Sequence, residues 1–345
     1  MTNTSIHKNF KLNGQKFSTI SDLLAYTNKE LPEAHEFFKE WFGSKKFLTV
    51  YTSGSTGKPK GIKLKKAFMI NSALATARYF ELEDEKITAL LCMSPKYIAG
   101  KMMLVRALIS GWHLDVITPT SHPLSGLKKY DFTAMVPLQL HNSLKELHKV
   151  NMIIVGGGAV SQPLQKKIMD LKTKIFSTYG MTETVTHIAV KKLNNLNGIT
   201  NYFEVLPDIK IEKDDRNCLV INAPNLSEEK IITNDIIKLI DDKHFCWIGR
   251  FDNIINSGGV KINPERVEQK LEEVIKHRFF VASQKDEALG NKVILIVEDV
   301  KKSKIDNSIF KFLDKYEKPK TIFYIDKFIE TKTGKIDRKA NINLI

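Results

Sequence analysis

Short apolar runs alternate with longer mixed stretches through the middle of this chain. That alternation constrains the fold more than any other feature. The runs are ITALLCM at 87–93, LDVIT at 114–118, FTAMV at 132–136, MIIVGGG at 152–158 and KIFSTYG at 174–180. Helix-like segments separate them at 101–110, 137–149 and 161–172, and 65–80 carries apolar positions at helical spacing. Apolar strands without a polar face belong in a sheet covered on both sides. Such strands alternating with helices predict an α/β fold with a mostly parallel, doubly wound sheet.

Beyond residue 200 the pattern changes to shorter alternating strands, IKIEK, CLVINA, IIKLI and HFCWIG, which predict a small β-subdomain. A second unit begins near Phe251. Asn263-Pro264-Glu265 reads as a helix start, with Asn as N-cap, Pro in the first turn and an acid beside the helix dipole. FFVAS at 279–283, VILIVED at 293–299, a helix near 307–316 and TIFYI at 321–325 complete a small α+β unit. The expected domains are 1–251 and 252–345. Two domains fit 345 residues at roughly 150 per domain.

The charge is +14, from 53 basic and 39 acidic side chains. Such an excess points to anionic partners, but residues 252–345 carry 19 basic and 15 acidic groups, so neither part is a basic arm. Lys58, Lys60, Lys63, Lys65 and Lys66 are the exception, within nine residues. Cys92, Cys218 and Cys246 form no C-x-x-C pair, which excludes a zinc-ribbon or disulfide framework and fits a reducing compartment. The polar N-terminus and the lack of any ~20-residue apolar run predict a cytoplasmic protein without stable membrane insertion.

The most specific string is YTSGSTGKPKG at 51–61, directly after the β-like FLTVYT. Glycines, hydroxyls and lysines make a donor-rich loop whose backbone N–H groups suit phosphate oxygens. Only two residues separate Gly54 from Gly57, so it is not a Walker A motif, and Pro59 argues against a helix starting there.

This loop resembles the signature of the adenylate-forming superfamily, which contains acyl-CoA synthetases, peptide-synthetase adenylation domains and luciferases. Further motifs follow in that superfamily's order: Gly156-Gly-Gly-Ala159, Tyr179-Gly-Met-Thr-Glu183, Thr233-Asn-Asp235, Trp247-Ile-Gly-Arg-Phe-Asp252, Asn256-Ser-Gly-Gly-Val-Lys-Ile262 and Thr331-Lys-Thr-Gly-Lys-Ile-Asp-Arg338. The resemblance implies a large AMP-binding domain and a small mobile lid. It assigns Thr52, Ser53, Gly54, Ser55, Thr56, Gly57, Lys58 and Lys60 to the ATP phosphates. It assigns Gly157, Gly158, Ala159, Tyr179, Gly180, Asp235 and Arg250 to the nucleotide. Thr182 is expected at the α-phosphate, Glu183 on Mg²⁺, Lys335 at the adenylation transition state, Asp252 at the hinge, and Gly258 and Gly259 beside CoA. Asn234 stands where the superfamily usually has Gly; Asn tolerates the left-handed backbone that a turn there requires. Only 50 residues precede the loop, so part of the usual N-terminal scaffold is expected to be reduced.

The implied partners are ATP, Mg²⁺, coenzyme A and a small carboxylic acid, with a homodimer among the options and nucleic acid excluded. The segment 94–106 and YGMTETVTH at 179–187 look most like compact o-succinylbenzoate–CoA ligases of menaquinone synthesis. A substrate with a second carboxylate calls for a buried cation and hydroxyls; Arg106, Thr184 and Thr186 are the candidates. Tyr97 stands where many relatives have a gating His. Alternatives remain: a ligase for another acyl or aryl acid, a carrier-protein adenylation module, or a non-catalytic nucleotide- or nucleic-acid-binding protein.

Overall fold

The computed structural model describes residues 5–52, 60–84, 86–126, 128–195, 201–331 and 335–345, with the backbone alone at Thr52 and Lys60. A mixed sheet of thirteen strands dominates it. Its parallel half runs, in spatial order, Lys174–Gly180, Val150–Val155, Tyr130–Met135, Thr88–Leu91 and His113–Val116. The chain steps outward from Thr88–Leu91 to His113–Val116. It then returns across to Tyr130–Met135 and continues the other way. The crevice at that reversal is where doubly wound sheets bind ligands. Gln139 sits in it: its Nε2 donates to the carbonyls of Cys92 and Thr120, both at 2.9 Å, and its Oε1 accepts from Val136 N at 3.2 Å.

The expected strands recur within a few residues, and Lys174–Gly180 matches end for end. Alternate residues of these strands feed different cores. Ala89, Leu91, Phe132, Ala134, Met152 and Ile154 pack under the helices Lys66–Tyr79 and Ile98–Ser110. Leu90, Cys92, Met135, Ile153 and Val155 pack with Leu140 of Pro137–Asn142 and with Leu164 and Ile168 of Gln162–Ile168. Burial on both faces explains why these runs show no polar alternation.

Beyond Lys174–Gly180 the sheet turns antiparallel through His187–Lys192, Phe203–Val205, His244–Arg250, Ile231–Leu239, Cys218–Asn222 and Lys210–Lys213. At the other edge, Lys11–Leu12 and Gln15–Lys16 form a hairpin through Asn13 and Gly14, both at positive φ. The helices Ile20–Glu30 and Pro32–Phe42 follow; Thr19 and Asp22 close a reciprocal cap on the first.

Residues 255–345 carry their own cores. The strands Phe279–Asp286, Gly290–Glu298 and Thr321–Ile325 form a sheet. One face packs on Pro264–Leu271, with Val281, Leu295 and Val297 meeting Val267 and Leu271. The other face gathers Phe280, Ile294, Ile296 and Phe328. Asn263 caps the helix as expected, its side chain accepting from Arg266 N. The helix expected at 307–316 is instead a single 3₁₀ turn, Asn307–Phe310. Its anchors Phe310 and Leu313 are three residues apart, and Glu317 accepts from Asp314 N, a local bond that competes with helix continuation.

Gln162 N donates to Glu272, and Lys166 pairs with Glu273, across the seam between the two parts. A cleft of about 520 Å³ lined by Gln162, Arg266, Gln269, Lys270 and Phe312 runs along it. Among the described residues no helix is long and apolar enough to cross a membrane.

Candidate active site

Four of the expected site residues converge beside the strand pair Ile231–Leu239 and His244–Arg250. Asp235 lies directly opposite Arg250 in that pair. Its carboxylate is nearly buried and accepts from Tyr179 Oη at 2.7 Å and from Trp247 Nε1 at 3.1 Å, with Arg250 Nη1 3.6 Å away. Burial, then the neighbouring Asp235, pushes the Tyr179 phenol upward, so it stays a protonated donor. The Tyr179 ring meets Phe245 edge-on at 5.2 Å. Asp235 N donates to Thr233 Oγ1 at 3.0 Å.

Asn234 does not take the left-handed turn expected of it. It is a strand residue, and its side chain bridges instead: Nδ2 donates to Asp252 at 3.1 Å and Oδ1 accepts from Arg216 at 2.8 Å. Asp252 also pairs with Arg250 at 3.2 Å. The next residue, Asn253, donates to Glu265 of the second part at 2.5 Å. Gly249 is needed for this junction, because a Cβ there would lie 2.4 Å from Asn263 and 2.6 Å from Glu265.

The strand carrying Tyr179 ends at Gly180, where a Cβ would stand 2.3 Å from the Thr186 carbonyl oxygen. Thr182–Thr184 then form a 3₁₀ turn. Thr184 was expected to face the acid. Its hydroxyl is instead committed to the turn, donating toward the carbonyls of Met181 and Thr186 and accepting from Met181 N. A side chain so engaged braces the loop, its one proton already shared between two carbonyls. Val185 follows at φ +67°, ψ −58°, with Thr186 N donating to Thr184 O at 2.8 Å. A β-branched residue held in this tight γ-turn is strained, and such strain persists where the surroundings over-determine it. The turn presents Glu183 to solvent; among the described residues its carboxylate has no ion-pair partner.

Gly156 to Ala159 cross the ends of the neighbouring strands. A Cβ on Gly156 would meet Thr178 Oγ1 at 2.8 Å, and Gly157 has φ +80°. The backbone of Thr52 faces Lys60 across the hairpin Phe47–Thr52 and Lys60–Lys65. Ser53, Gly54, Ser55, Thr56, Gly57 and Lys58 lie outside the described residues.

Two candidate elements sit on the second part. Gly258 and Gly259, at φ +57° and +81°, turn the hairpin Ile255–Ser257 and Val260–Ile262, a geometry that suits glycine. Lys335 is exposed and its Nζ has no partner among the described residues. Its backbone is pinned, with Thr331 N donating to Lys335 O at 2.7 Å beside the Glu330–Ile336 bridge. Residues 332–334 lie outside the described residues.

On the acyl side, Tyr97 is half exposed before the helix Ile98–Ser110. Its loop is tied to the helix Pro32–Phe42 by Ser94 Oγ and Lys96 Nζ, both bound to Glu33. Arg106 is fully buried. Its Nε donates to Thr76 Oγ1 at 3.4 Å and Nη1 to Met103 Sδ at 3.7 Å, while Nη2 has no partner. Burial lowers the guanidinium to about 10, yet it stays charged at neutral pH, with no anion among its recorded contacts. His187 reaches the same Thr76 hydroxyl at 3.4 Å, and Thr186 lies 3.4 Å from the other ring nitrogen. Sequence reading did not single out Thr76 or His187. His187 closes the 179–187 string, which was a signal for one of them; nothing marked Thr76 among the apolar residues of its helix.

Comparison with known proteins gives one answer. The sequence model described as "AMP-binding enzyme" matches residues 25–217. The 2-succinylbenzoate–CoA ligase of Lactococcus lactis is 25% identical over 312 residues, which is 84% of this chain and 69% of that relative. A crystal structure of an acyl-CoA synthetase (AMP-forming)/AMP-acid ligase II-like protein from Dyadobacter fermentans is 35% identical, covering 92% of this chain and 95% of that one, with a TM-score of 0.62. The o-succinylbenzoate CoA synthetase of Bacillus subtilis in complex with its acyl-adenylate intermediate shares the fold at a TM-score of 0.72 and 20% identity, over 84% of this chain and 68% of that one. With the doubly wound sheet and the corner built on Asp235, these matches establish the chain as an enzyme of the AMP-binding family.

Proposed function

We propose that the chain is an ATP-dependent acid–CoA ligase acting on a carboxylic acid with a second anionic group, and that o-succinylbenzoate is that acid. One observation carries the choice of acid. Among the described residues Arg106 is a buried cation without a counter-charge, which is unfavourable by several kcal/mol unless an anion joins it. The 2-succinylbenzoate–CoA ligases among the relatives agree in the class of substrate named.

In the first half-reaction a carboxylate oxygen of the acid bonds to the α-phosphorus of ATP and pyrophosphate leaves. In the second, the thiol of CoA bonds to the acyl carbon, its proton passes to solvent and AMP leaves. We assign Asp235 to the ribose hydroxyls, which need an acceptor, with Tyr179, Trp247 and Arg250 fixing its orientation. Thr52 to Lys60 would hold the phosphates, and Thr182 the α-phosphate. Gly157 to Ala159 and Gly180 would admit the adenine face closely because they present little or no side chain. Glu183 suits Mg²⁺, a hard ion satisfied by one carboxylate together with water and phosphate oxygens, because it is exposed and, among the described residues, without an ion-pair partner. Mg²⁺ would neutralise charge on the phosphates as the anionic acid approaches. Lys335 would place a compact cation on the carboxylate and phosphate oxygens. We assign Gly258 and Gly259 to the CoA arm and Asp252 to the hinge between 1–251 and 252–345. On the acyl side we assign Arg106 to the second carboxylate, and Thr186 and Tyr97 to the surroundings of the acid.

Release of AMP with ATP, Mg²⁺, CoA and a panel of acids tests this. Formation with o-succinylbenzoate but not with benzoate or fatty acids is expected. AMP formation with monocarboxylates alone would overturn the choice of acid, and no acid-dependent AMP at all would overturn the ligase.

A further inference from the structure

The surroundings of Arg106 determine where each proton lies. Thr76 Oγ1 donates to Ser72 O at 3.0 Å, an i to i−4 bond within its helix. With that proton committed, the hydroxyl can only accept from its other two neighbours. Arg106 Nε–H supplies one hydrogen bond at 3.4 Å, and His187 Nε2 must supply the other at the same distance. His187 therefore carries its proton on Nε2. Its Nδ1 is left as an acceptor, and Thr186 Oγ1 donates to it at 3.4 Å.

The chain of donors thus runs from Thr186 through His187 to Thr76, and meets Arg106 there. Thr76 is wholly buried, as His187 nearly is, on a helix and a strand far apart in sequence. The result is a guanidinium held through Nε by Thr76 and through Nη1 by the weak acceptor Met103 Sδ, with its Nη2 unengaged among the described residues. His187 cannot share the charge: burial and the adjacent Arg106 both favour the neutral ring.

We propose that Thr76 and His187 are positioning residues that hold Arg106 at its Nε and keep its Nη2 end for an anion, so that this site discriminates acids with a second carboxylate from those without. The proposal rests on the assignment of Arg106 to the substrate. Neither residue touches the reacting atoms. Their effect is on which acid is accepted, and it passes through the guanidinium. A hydroxyl with both acceptor positions filled does not compete with the substrate for the Nη protons. A neutral imidazole adds no second positive charge that would demand a counter-ion.

The test uses the full chain at saturating ATP and Mg²⁺, with pyrophosphate release measured for o-succinylbenzoate and for two probes that each lack one carboxylate, 4-oxo-4-phenylbutanoate and 2-butyrylbenzoate. Thr76→Val should raise KM for o-succinylbenzoate about 10–100-fold, the range for losing a hydrogen bond to a charged group. KM for the probe that is turned over should stay within about threefold, and KM for ATP should not move. Thr76→Ser, which keeps the hydroxyl, should restore wild-type selectivity. His187→Gln, whose amide can still donate to Thr76, should lose less selectivity than His187→Leu. Should Thr76→Val fail to fold, the two His187 variants carry the same comparison, and ¹⁵N spectra of the wild-type histidines should contain a neutral Nε2–H ring absent from His187→Gln. A wild-type enzyme indifferent to the second carboxylate overturns the assignment of Arg106 itself. A wild-type enzyme that discriminates, with Thr76→Val and His187→Leu discriminating equally well or losing kcat for every acid alike, overturns the positioning role alone.

Discussion

Asp235 and Arg250 face each other across one antiparallel strand pair, 3.6 Å apart at their charged atoms, although Tyr179 and Trp247 already donate to the same carboxylate. Asp235 is therefore a nearly buried acceptor surrounded by donors, fixed before any ligand arrives. Asp235→Asn replaces one acceptor oxygen with an amide that donates toward a donor. Loss of a buried charged acceptor should weaken ATP binding by ~1–3 kcal/mol, about 5–150-fold in Kd. Calorimetric titration with ATP checks this. Unchanged affinity would remove Asp235 from the nucleotide site.

Lys335 tests the division of labour between the half-reactions. Its side chain is exposed and unpartnered among the described residues, so Lys335→Ala should leave thermal stability within ~0.5 kcal/mol of wild type. Acid-dependent pyrophosphate exchange should fall about 100–1,000-fold, as for loss of a group that stabilises developing charge. Conversion of preformed acyl-adenylate to thioester should continue. Equal loss in both halves would refute the assignment.

Gly180 is the tightest point of the loop that carries Thr182 and Glu183. A Cβ there would come within 2.3 Å of the Thr186 carbonyl oxygen and 2.5 Å of His187 Cα, both backbone atoms that can yield only if the turn moves. Gly180→Ala should destabilise the fold by ~1–3 kcal/mol. It should also reduce adenylation by about 100-fold, the scale expected for a displaced catalytic loop. Wild-type activity with a normal melting temperature would show that the loop tolerates displacement.

The sequence announces the doubly wound half of the fold because its central strands Tyr130–Met135 and Val150–Val155 are buried on both faces, so apolar continuity alone marks them; Lys174–Gly180 beside them and Thr321–Ile325 in the small separate sheet match their expected bounds end for end. It is less informative where short-range chemistry decides. Asn13-Gly14 is a strong hairpin signal, yet its strands are only two residues each, too short to show alternation. Asn234 looked like a turn residue by type, but pairing of Ile231–Leu239 with both neighbours holds it extended. The motif residues Tyr179, Asp235, Trp247 and Arg250 were legible one by one, and the structure adds that they share a single carboxylate. Thr76 and His187 were not legible together, because 111 positions separate them and only the packing of a helix on the sheet brings them to one hydroxyl.

Glu33 links the helix Pro32–Phe42 to the loop before Tyr97. Its hydrogen bonds from Lys96 and Ser94 hold its carboxyl below the ordinary 4.5. The folded value is the lower one, so the tether's contribution is fully present above about pH 4.5 and fades as the pH falls through the folded value. Glu33→Gln should therefore be less stable than wild type at neutral pH, with the gap closing in acid. Its KM for the acid should rise while that for ATP stays put, since the loop it holds leads into Tyr97. Denaturant titrations at several pH values check the first statement, and a constant gap down to acid pH would refute it.

His187 has its own pH signature, of the same sign as that of Glu33 but in a higher pH window. Burial first, and then the charge of Arg106, lower its folded value well below the ordinary 6.5. Above about pH 6.5 the ring is neutral in both folded and unfolded chains and adds no slope. Below it the unfolded chain binds a proton that the folded site refuses, so stability falls with pH. One such proton corresponds to a slope of at most ~1.4 kcal/mol per pH unit. The charged group facing the ring is Arg106, which keeps its proton throughout this range, so nothing on that side offsets the loss. His187→Gln removes the titrating group while keeping a donor for Thr76. Its stability curve should run alongside that of wild type above pH 6.5 and decline less steeply between pH 6.5 and 5. Urea titrations of both proteins across that window measure the difference. Curves that stay parallel to pH 5 would mean that His187 takes up its proton as readily folded as unfolded, and the neutral Nε2–H ring beside Arg106 would have to be abandoned.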